Sequence, residues 1–346
     1  MNEKSLDVLR QYDLNVYRVA RGRGGMVLNT DNGIKLFLEC ARPDKYYERE
    51  DLLTQAVADN GFKGIDTYIR NTQGSLVTPD DEGRRFVLKD WFDGRECNVK
   101  DLSDISNAVK TLGKLHTIMT GVSGDMMGQS QVIMLEAGSE QCHDPQIQAP
   151  QMTEMRNTYI RHMKELKLAW NYLRNKKRRS EFEQIAYRNI GSFYEEAVNA
   201  VDKLNNPILD ERFEDAKKSG ELCHGSYNYH NILFGSGVTA VTNFDKYKNE
   251  CQISDLYQFM RKILEKYDWD IQIAYKMMDE YDKIKPITDT DLEMLGALFA
   301  FPEKFWKVIN YYFNGSKSWI PPKSIEKLSM VVEQNDRRKE FLATVM

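Results

Sequence analysis

The segment Cys223-His-Gly-Ser-Tyr-Asn-Tyr-His-Asn-Ile-Leu-Phe234 decides how the rest of the chain is read. Polar residues rich in amide and imidazole groups open directly into a short apolar run. Gly235-Ser-Gly237 follows as a turn, and Val238-Thr-Ala-Val-Thr-Asn-Phe244 is rich in β-branched residues, so a hairpin is expected immediately after the loop. The hairpin ends at Asn243-Phe244-Asp245. The polar positions His224, Ser226, Asn231, Asn243 and Asp245 thus hold amides and a hydroxyl with a single carboxylate among them.

Working outward, 346 residues correspond to two domains or lobes at roughly 150 residues each. A chain with 41% hydrophobic and 29% charged residues has the composition of an ordered globular protein. Its net charge of −4 offers no general attraction to nucleic acid, which is not expected as a partner. Residues Met1 to Asp7 lack a basic region followed by an apolar core, so no secretory signal is expected. No apolar run approaches the roughly 18 residues that span a bilayer, and no membrane partner is expected. The five cysteines, Cys40, Cys97, Cys142, Cys223 and Cys251, lack CxxC spacing, which fits a reducing cytoplasm rather than a disulfide framework. Cys142-His143 lacks further ligands nearby and reads as loop.

The first ninety or so residues read as a small α+β unit. Strand-like runs cover 15–20, 26–28 and 33–38, and Arg21-Gly-Arg-Gly-Gly25 turns between the first two. Helical spacing of Leu52, Leu53, Ala56 and Val57 marks a helix from Lys45 to Asn60, with Gly61 as its stop. Strand patterns return at 67–70 and 85–92, before an Asp93-Gly94 turn. From Leu102 the pattern is mainly helical, with Ala108, Leu112, Leu115 and Met119 on one face. A Gly-, Gln-, Ser- and Pro-rich loop is expected over about 121–150, then two charged helices near 152–177 and 180–204. The basic run between them, Lys176 to Arg179, reads as a solvated helix end. Beyond the hairpin come helices broken at Pro286, Pro302 and Pro321-Pro322.

Phosphoryl transfer needs a loop over the phosphates, a strand lysine, a helix glutamate to orient it, an acid near the acceptor hydroxyl, and metal ligands. Candidates occur in that order. Gly22, Gly24 and Gly25 lie in a turn between strands, where backbone N–H groups can approach phosphate, although hairpins also use glycine for geometry alone. Lys35 lies mid-strand, and Glu48 and Glu50 lie on the next helix; Glu50 is preferred as its partner because it begins the regular helical pattern.

The pair His224-Gly-Ser-Tyr-Asn-Tyr-His-Asn231 and Asn243-Phe-Asp245 resembles the HGDxxxxN and (I/V)DF(D/E) motifs of the aminoglycoside phosphotransferase and choline kinase-like superfamily. Leu115-His116 and Asp255-Leu256 are similar to two further motifs of that group. Within it, Gly61-Phe62, Trp91-Phe-Asp-Gly-Arg-Glu96, Phe301-Pro-Glu-Lys-Phe-Trp306 and Trp319-Ile-Pro321 resemble recurring segments of the bacterial spore coat CotS family. The resemblance covers nearly the whole chain. It implies an α+β, bilobal, protein kinase-like fold: a small β-rich N-lobe at residues 1–92 and a larger, mainly helical C-lobe at 93–346. The catalytic-loop hairpin would lie at 223–245 and a helical insertion near 152–204. Trp91 would sit at the hinge.

Two departures from the motifs bear on chemistry. Ser226 replaces the loop Asp, and a serine hydroxyl is no general base near neutral pH without a base of its own. His230 is a nearby substitute, although a structural role for it is favoured, as for His224, which the resemblance makes a loop anchor. Asn243 replaces the metal-binding Asp, leaving Asn231, Asn243 and Asp245 as implied ligands. ATP and Mg2+ are the implied cofactors, weakened by the missing carboxylates. The expectation is a catalytically impaired, nucleotide-binding or structural module, cytoplasmic or in the spore coat, with a nucleotide, a protein or coat components as partners. The alternative is an active phosphotransferase acting on a small-molecule or protein hydroxyl, with Ser226, His224, Asn231 and Asp245 as the implied catalytic positions and Asp245 or a substrate group replacing the lost acids.

Overall fold

The computed structural model describes residues 3–22, 24–136, 153–235, 237–315 and 322–346. Cys142-His143 and Trp319 to Pro321 lie outside the described residues, as does the expected loop from 137 to 150. The chain forms two compact units, Met1–Asp144 with Gly220–Lys248, and Pro145–Ser219 with Asn249–Met346. All the polar positions from 224 to 245 belong to the first.

That unit is built on an antiparallel sheet of β1 (Val16–Arg21), β2 (Met26–Thr30), β3 (Gly33–Glu39), β4 (Tyr68–Ile69), β5 (Thr78–Pro79) and β6 (Arg85–Asp90). Its order is β1-β2-β3-β6-β4, with β5 also paired to β6. Side chains alternate faces along each strand. One face of the sheet carries Leu28, Phe37, Phe86 and Leu88, packed against Val8 and Leu9 of the 3₁₀ helix Glu3–Gln11 and Tyr12 just after it. Each of those four sheet side chains is fully buried, worth about 1.5–3 kcal/mol apiece. Between β3 and β4 runs α1 (Asp44–Asp59), which stops as expected: Gly61 has φ 94° and its N–H donates to the Ala58 carbonyl at 2.9 Å.

β7 (Gly94–Glu96) leads to α2 (Leu102–Glu136), whose buried Ile105, Ala108, Val109, Leu112, Leu115 and Met119 follow the predicted stripe. This helix continues past 121, where a loop is expected. Gly121, Gly124 and Gly128 make the stretch a weak helix former, but a helix tolerates isolated glycines at about 1 kcal/mol each. β8 (Leu222–Cys223) enters the polar loop, and β9 (Ile232–Gly235) with β10 (Thr239–Val241) forms the expected hairpin, extended by β7 in the order β10-β9-β7.

The second unit is helical: α3 (Thr153–Asn175), α4 (Glu181–Leu204), α5 (Pro207–Lys218), α6 (Ile253–Leu264), α7 (Ile271–Asp282), α8 (Asp289–Ala300), α9 (Glu303–Phe313), α10 (Pro322–Glu333) and α11 (Asn335–Val345). The predicted proline breaks fall between α7 and α8, at the start of α9 and at the first residue of α10. In the basic run, Arg179 Nε donates to the Leu173 carbonyl at 2.8 Å and Lys176 Nζ meets Glu183 at 2.7 Å, while Ser180 and Glu183 form a capping box on α4. Those two cations therefore close helix ends. Among the described residues no helix is long and apolar enough to cross a membrane.

Candidate functional site

The loop between β8 and β9 is held by its own polar side chains. His224 is fully buried, its Nε2 is 3.1 Å from the Thr242 carbonyl oxygen and its Nδ1 is 3.1 Å from the Ser226 backbone nitrogen. A carbonyl can only accept and an N–H can only donate, so this histidine is neutral with its proton on Nε2. It ties the loop to the strand end before Asn243. Gly225 has φ 72°, and a Cβ there would lie 1.9 Å from the Lys246 carbonyl oxygen. Only glycine allows the two loops to pass so closely. The Tyr227 hydroxyl donates to the Ala108 carbonyl at 2.7 Å, anchoring the loop on α2.

Ser226 is half-buried, and its carbonyl accepts from Asn228 Nδ2 at 2.7 Å and Asn231 Nδ2 at 3.0 Å. With Nδ2 so oriented, Asn231 Oδ1 accepts from Asn243 Nδ2 at 2.9 Å. Asn243 has φ 66°, a left-handed conformation that asparagine tolerates better than most residues. Asp245 is exposed and faces Arg42: Nη1 donates to its carbonyl at 2.9 Å and Nη2 to its carboxylate at 3.3 Å. The side chains of Asn231, Asn243 and Asp245 are thus tied to protein partners: the two amides bond each other and Asp245 pairs with Arg42. Among the described residues no group of three or more His, Cys, Asp or Glu side chains is placed to hold a metal.

Glu50 and Lys35 do not meet. Register explains the difference: Lys35 lies opposite Asp90 and Leu36 opposite Lys89, so Lys35 and Lys89 emerge on opposite faces of the sheet. Lys35 shares the face of Phe37 and pairs with Asp90 at 2.6 Å, while Thr67 Oγ1 donates to the same carboxylate at 3.0 Å. Lys89 reaches α1 instead, meeting Glu50 at 2.8 Å and Asp66 at 2.7 Å, with its ammonium 4.4 Å from the centre of the Tyr68 ring. Burial pushes the Asp66 carboxyl up to about 6 against the opposing pull of Lys89, and Asp66 Oδ1 has no hydrogen-bond partner. Burial also works against the Lys89 charge, but Asp66 and Glu50 hold its pKa above the ordinary lysine value. Asp66 Oδ2 accepts from the Asn243 backbone N–H at 3.2 Å, which links α1 and β6 to the motif loops through Glu50, Lys89, Asp66 and Asn243.

Lys89, Asp66 and Arg42 escape the sequence reading. The one available signal was a lysine in the otherwise apolar centre of Phe86-Val-Leu-Lys-Asp90. The glycine turn has structural reasons of its own: Gly22 N–H bonds the Gly25 carbonyl at 2.9 Å, and a Cβ on Gly25 would stand 2.4 Å from the Phe37 carbonyl oxygen. The Trp91 N–H donates to the Ile34 carbonyl at 2.9 Å, which commits that amide to β3. His230 donates from Nδ1 to Glu96 Oε2 at 2.5 Å, at the junction of β7 and the 3₁₀ turn Tyr229–Asn231.

An antiparallel sheet with a helix glutamate bonded to a sheet lysine, followed by this loop and hairpin, defines the chain as a kinase-like phosphotransferase fold. Solved structures agree. An aminoglycoside phosphotransferase from Alicyclobacillus acidocaldarius superposes with a TM-score of 0.81 at 14% identity, covering 98% of this chain and 94% of the other. The AMP-bound spectinomycin phosphotransferase APH(9)-Ia gives 0.63 at 12% identity, covering 99% of each. Amicoumacin kinase hAmiN, in complex with AMP-PNP and Ca2+, gives 0.54 at 13% identity, covering 99% and 94%. Residues 6–345 match the family described as "Spore coat putative kinase YutH", and the chain belongs to that family. Spore coat protein S of Bacillus subtilis is 20% identical over 350 aligned positions, covering 97% of this chain and 92% of the relative.

Proposed function

We propose that this protein is a kinase-like module of the spore coat that binds a nucleotide and transfers phosphate poorly or not at all. The hydrogen bond from Asn243 to Asn231, beside Ser226, carries this reading. It joins two amides at the positions where the motif resemblance puts metal ligands, next to a hydroxyl where it puts the base. The positions Gly22, Gly24, Gly25 and Trp91 form the nucleotide side of the proposal, with Lys89 rather than Lys35 as the lysine paired to Glu50. Nucleotide binding is supported by the retained lysine–glutamate pair and by the AMP and AMP-PNP held by the structural relatives. Placement in the coat, with coat proteins as partners, rests on the family and on the similarity to Spore coat protein S.

Thermal shift and ATP turnover test this together. A nucleotide at about 100 times its dissociation constant stabilises the fold by about 2.7 kcal/mol, and no shift with any nucleotide refutes binding. Turnover near roughly 1 per second, in the range of active kinases, refutes impairment. The double variant Ser226→Asp, Asn243→Asp is expected to raise turnover by about a hundredfold, the lower end of what general base catalysis supplies.

One observation favours the alternative of an active phosphotransferase. His230 is oriented by Glu96 through Nδ1, which leaves Nε2 as the proton acceptor of a carboxylate-supported imidazole. On that reading His230→Gln abolishes any measured turnover.

A further inference from the structure

Arg42 lies just beyond β3 and is positioned from several sides. Its backbone N–H donates to the Tyr47 hydroxyl at 3.2 Å, its carbonyl accepts from Arg85 Nη2 at 2.9 Å, and its guanidinium is 5.6 Å from the centre of the Tyr46 ring. The guanidinium spans both acceptors of Asp245, the carbonyl at 2.9 Å and the carboxylate at 3.3 Å. Asp245 is the carboxylate of the three expected metal ligands, and the other two are amides bonded to each other. A divalent cation here would gain a single carboxylate, shared with the Arg42 guanidinium on Oδ2, and would compete with that positive charge. Mg2+ sheds water reluctantly and favours carboxylate oxygens, so the exchange is a poor one.

A guanidinium, in contrast, carries five N–H donors in a planar fork that suits phosphate as well as carboxylate oxygens. Its charge does not depend on metal supply or on pH in the physiological range. We propose that this site binds nucleoside di- and triphosphates without a divalent metal, with the Arg42 guanidinium as the resident cation that offsets phosphate charge beside Asp245. The inference rests on the nucleotide-binding reading above and gives it a specificity: no divalent metal is needed, so the free nucleotide binds as well as its magnesium complex.

Titration calorimetry of the full chain with ADP, once in excess EDTA and once in excess Mg2+, tests it without any substitution. The expected result is an affinity that agrees between the two conditions within about threefold. Tightening by Mg2+ beyond that overturns metal independence and leaves nucleotide binding standing. Absence of binding in both conditions, with ATP as well as ADP, overturns both. In EDTA, Arg42→Gln is expected to weaken ADP by about tenfold or more, the worth of a charge-assisted hydrogen bond. Wild-type affinity for that variant removes Arg42 from the proposal.

Discussion

Lys89→Met removes the ammonium that bridges Glu50 and Asp66 and keeps a side chain of similar length. The Lys89 side chain is 3% exposed, that of Glu50 is 7% and that of Asp66 is 0%, so water cannot take over from the lost cation. Removing one partner of a buried ion pair costs about 3–5 kcal/mol, because the remaining charge stays desolvated and unpaired. The Asp66 pKa, already about 6, must rise further without Lys89. A raised carboxyl contributes its stability at low pH and loses it as the pH climbs through the folded value. The deficit of Lys89→Met relative to wild type therefore grows from pH 5.5 to pH 8. With an m-value of about 3 kcal/mol/M, a loss of about 3 kcal/mol lowers the urea midpoint by about 1 M. Lys35→Met is the matched control, since its partner Asp90 has a side chain 43% exposed and the pair is worth at most about 1 kcal/mol. Urea melts followed by circular dichroism at both pH values decide the matter. Equal losses for the two variants, or a Lys89→Met deficit that shrinks as pH rises, would refute the reasoning.

Asp66→Asn keeps an acceptor for the Asn243 N–H and deletes the titration. The wild-type carboxyl rises from 3.8 to about 6 on folding, so its stabilising contribution is complete below pH 4 and lost as pH passes 6. Relative to wild type, the variant should gain up to about 3 kcal/mol between pH 4 and pH 7, read as the difference between the two pH–stability curves. Gly225→Ala should lose about 2–4 kcal/mol, since its Cβ would stand 1.9 Å from the Lys246 carbonyl oxygen at φ 72°. Gly24→Ala, at φ 83° but with nothing within 4 Å, should lose only about 1–2 kcal/mol in the same melts.

Local patterns carried much of the architecture. The 3.6-residue spacing of Leu112, Leu115 and Met119 found the buried face of α2, and Gly61 marked the end of α1, because both depend on neighbours within a turn or two. The hairpin of β9 and β10 was legible for the same reason: the apolar run Ile232 to Phe234 and the β-branched run after Gly237 are close enough in sequence to specify their own pairing. At the site, Ser226, Asn231 and Asn243 were legible as a set from motif spacing, and their hydrogen bonds join them into one network. The role of His224 as an anchor also agrees with its buried bonds to Thr242 and Ser226.

The choice of lysine was not legible. Lys35 and Lys89 both sit in strand-like runs, and which of them faces α1 depends on pairing residue 35 with residue 90 across 55 positions of chain. A slip of β6 by one residue would turn Lys89 to the face of Lys35 and away from α1, and no local pattern distinguishes the two registers. Arg42 on Asp245 is likewise a meeting of residues 203 positions apart. The sequence by itself determined the kinase-like loop and hairpin, the loss of two acids, and the period and length of most elements, all consequences of short-range geometry. Only the tertiary structure decided which cation neutralises which carboxylate, because those pairs are made by strand register and by the approach of distant loops.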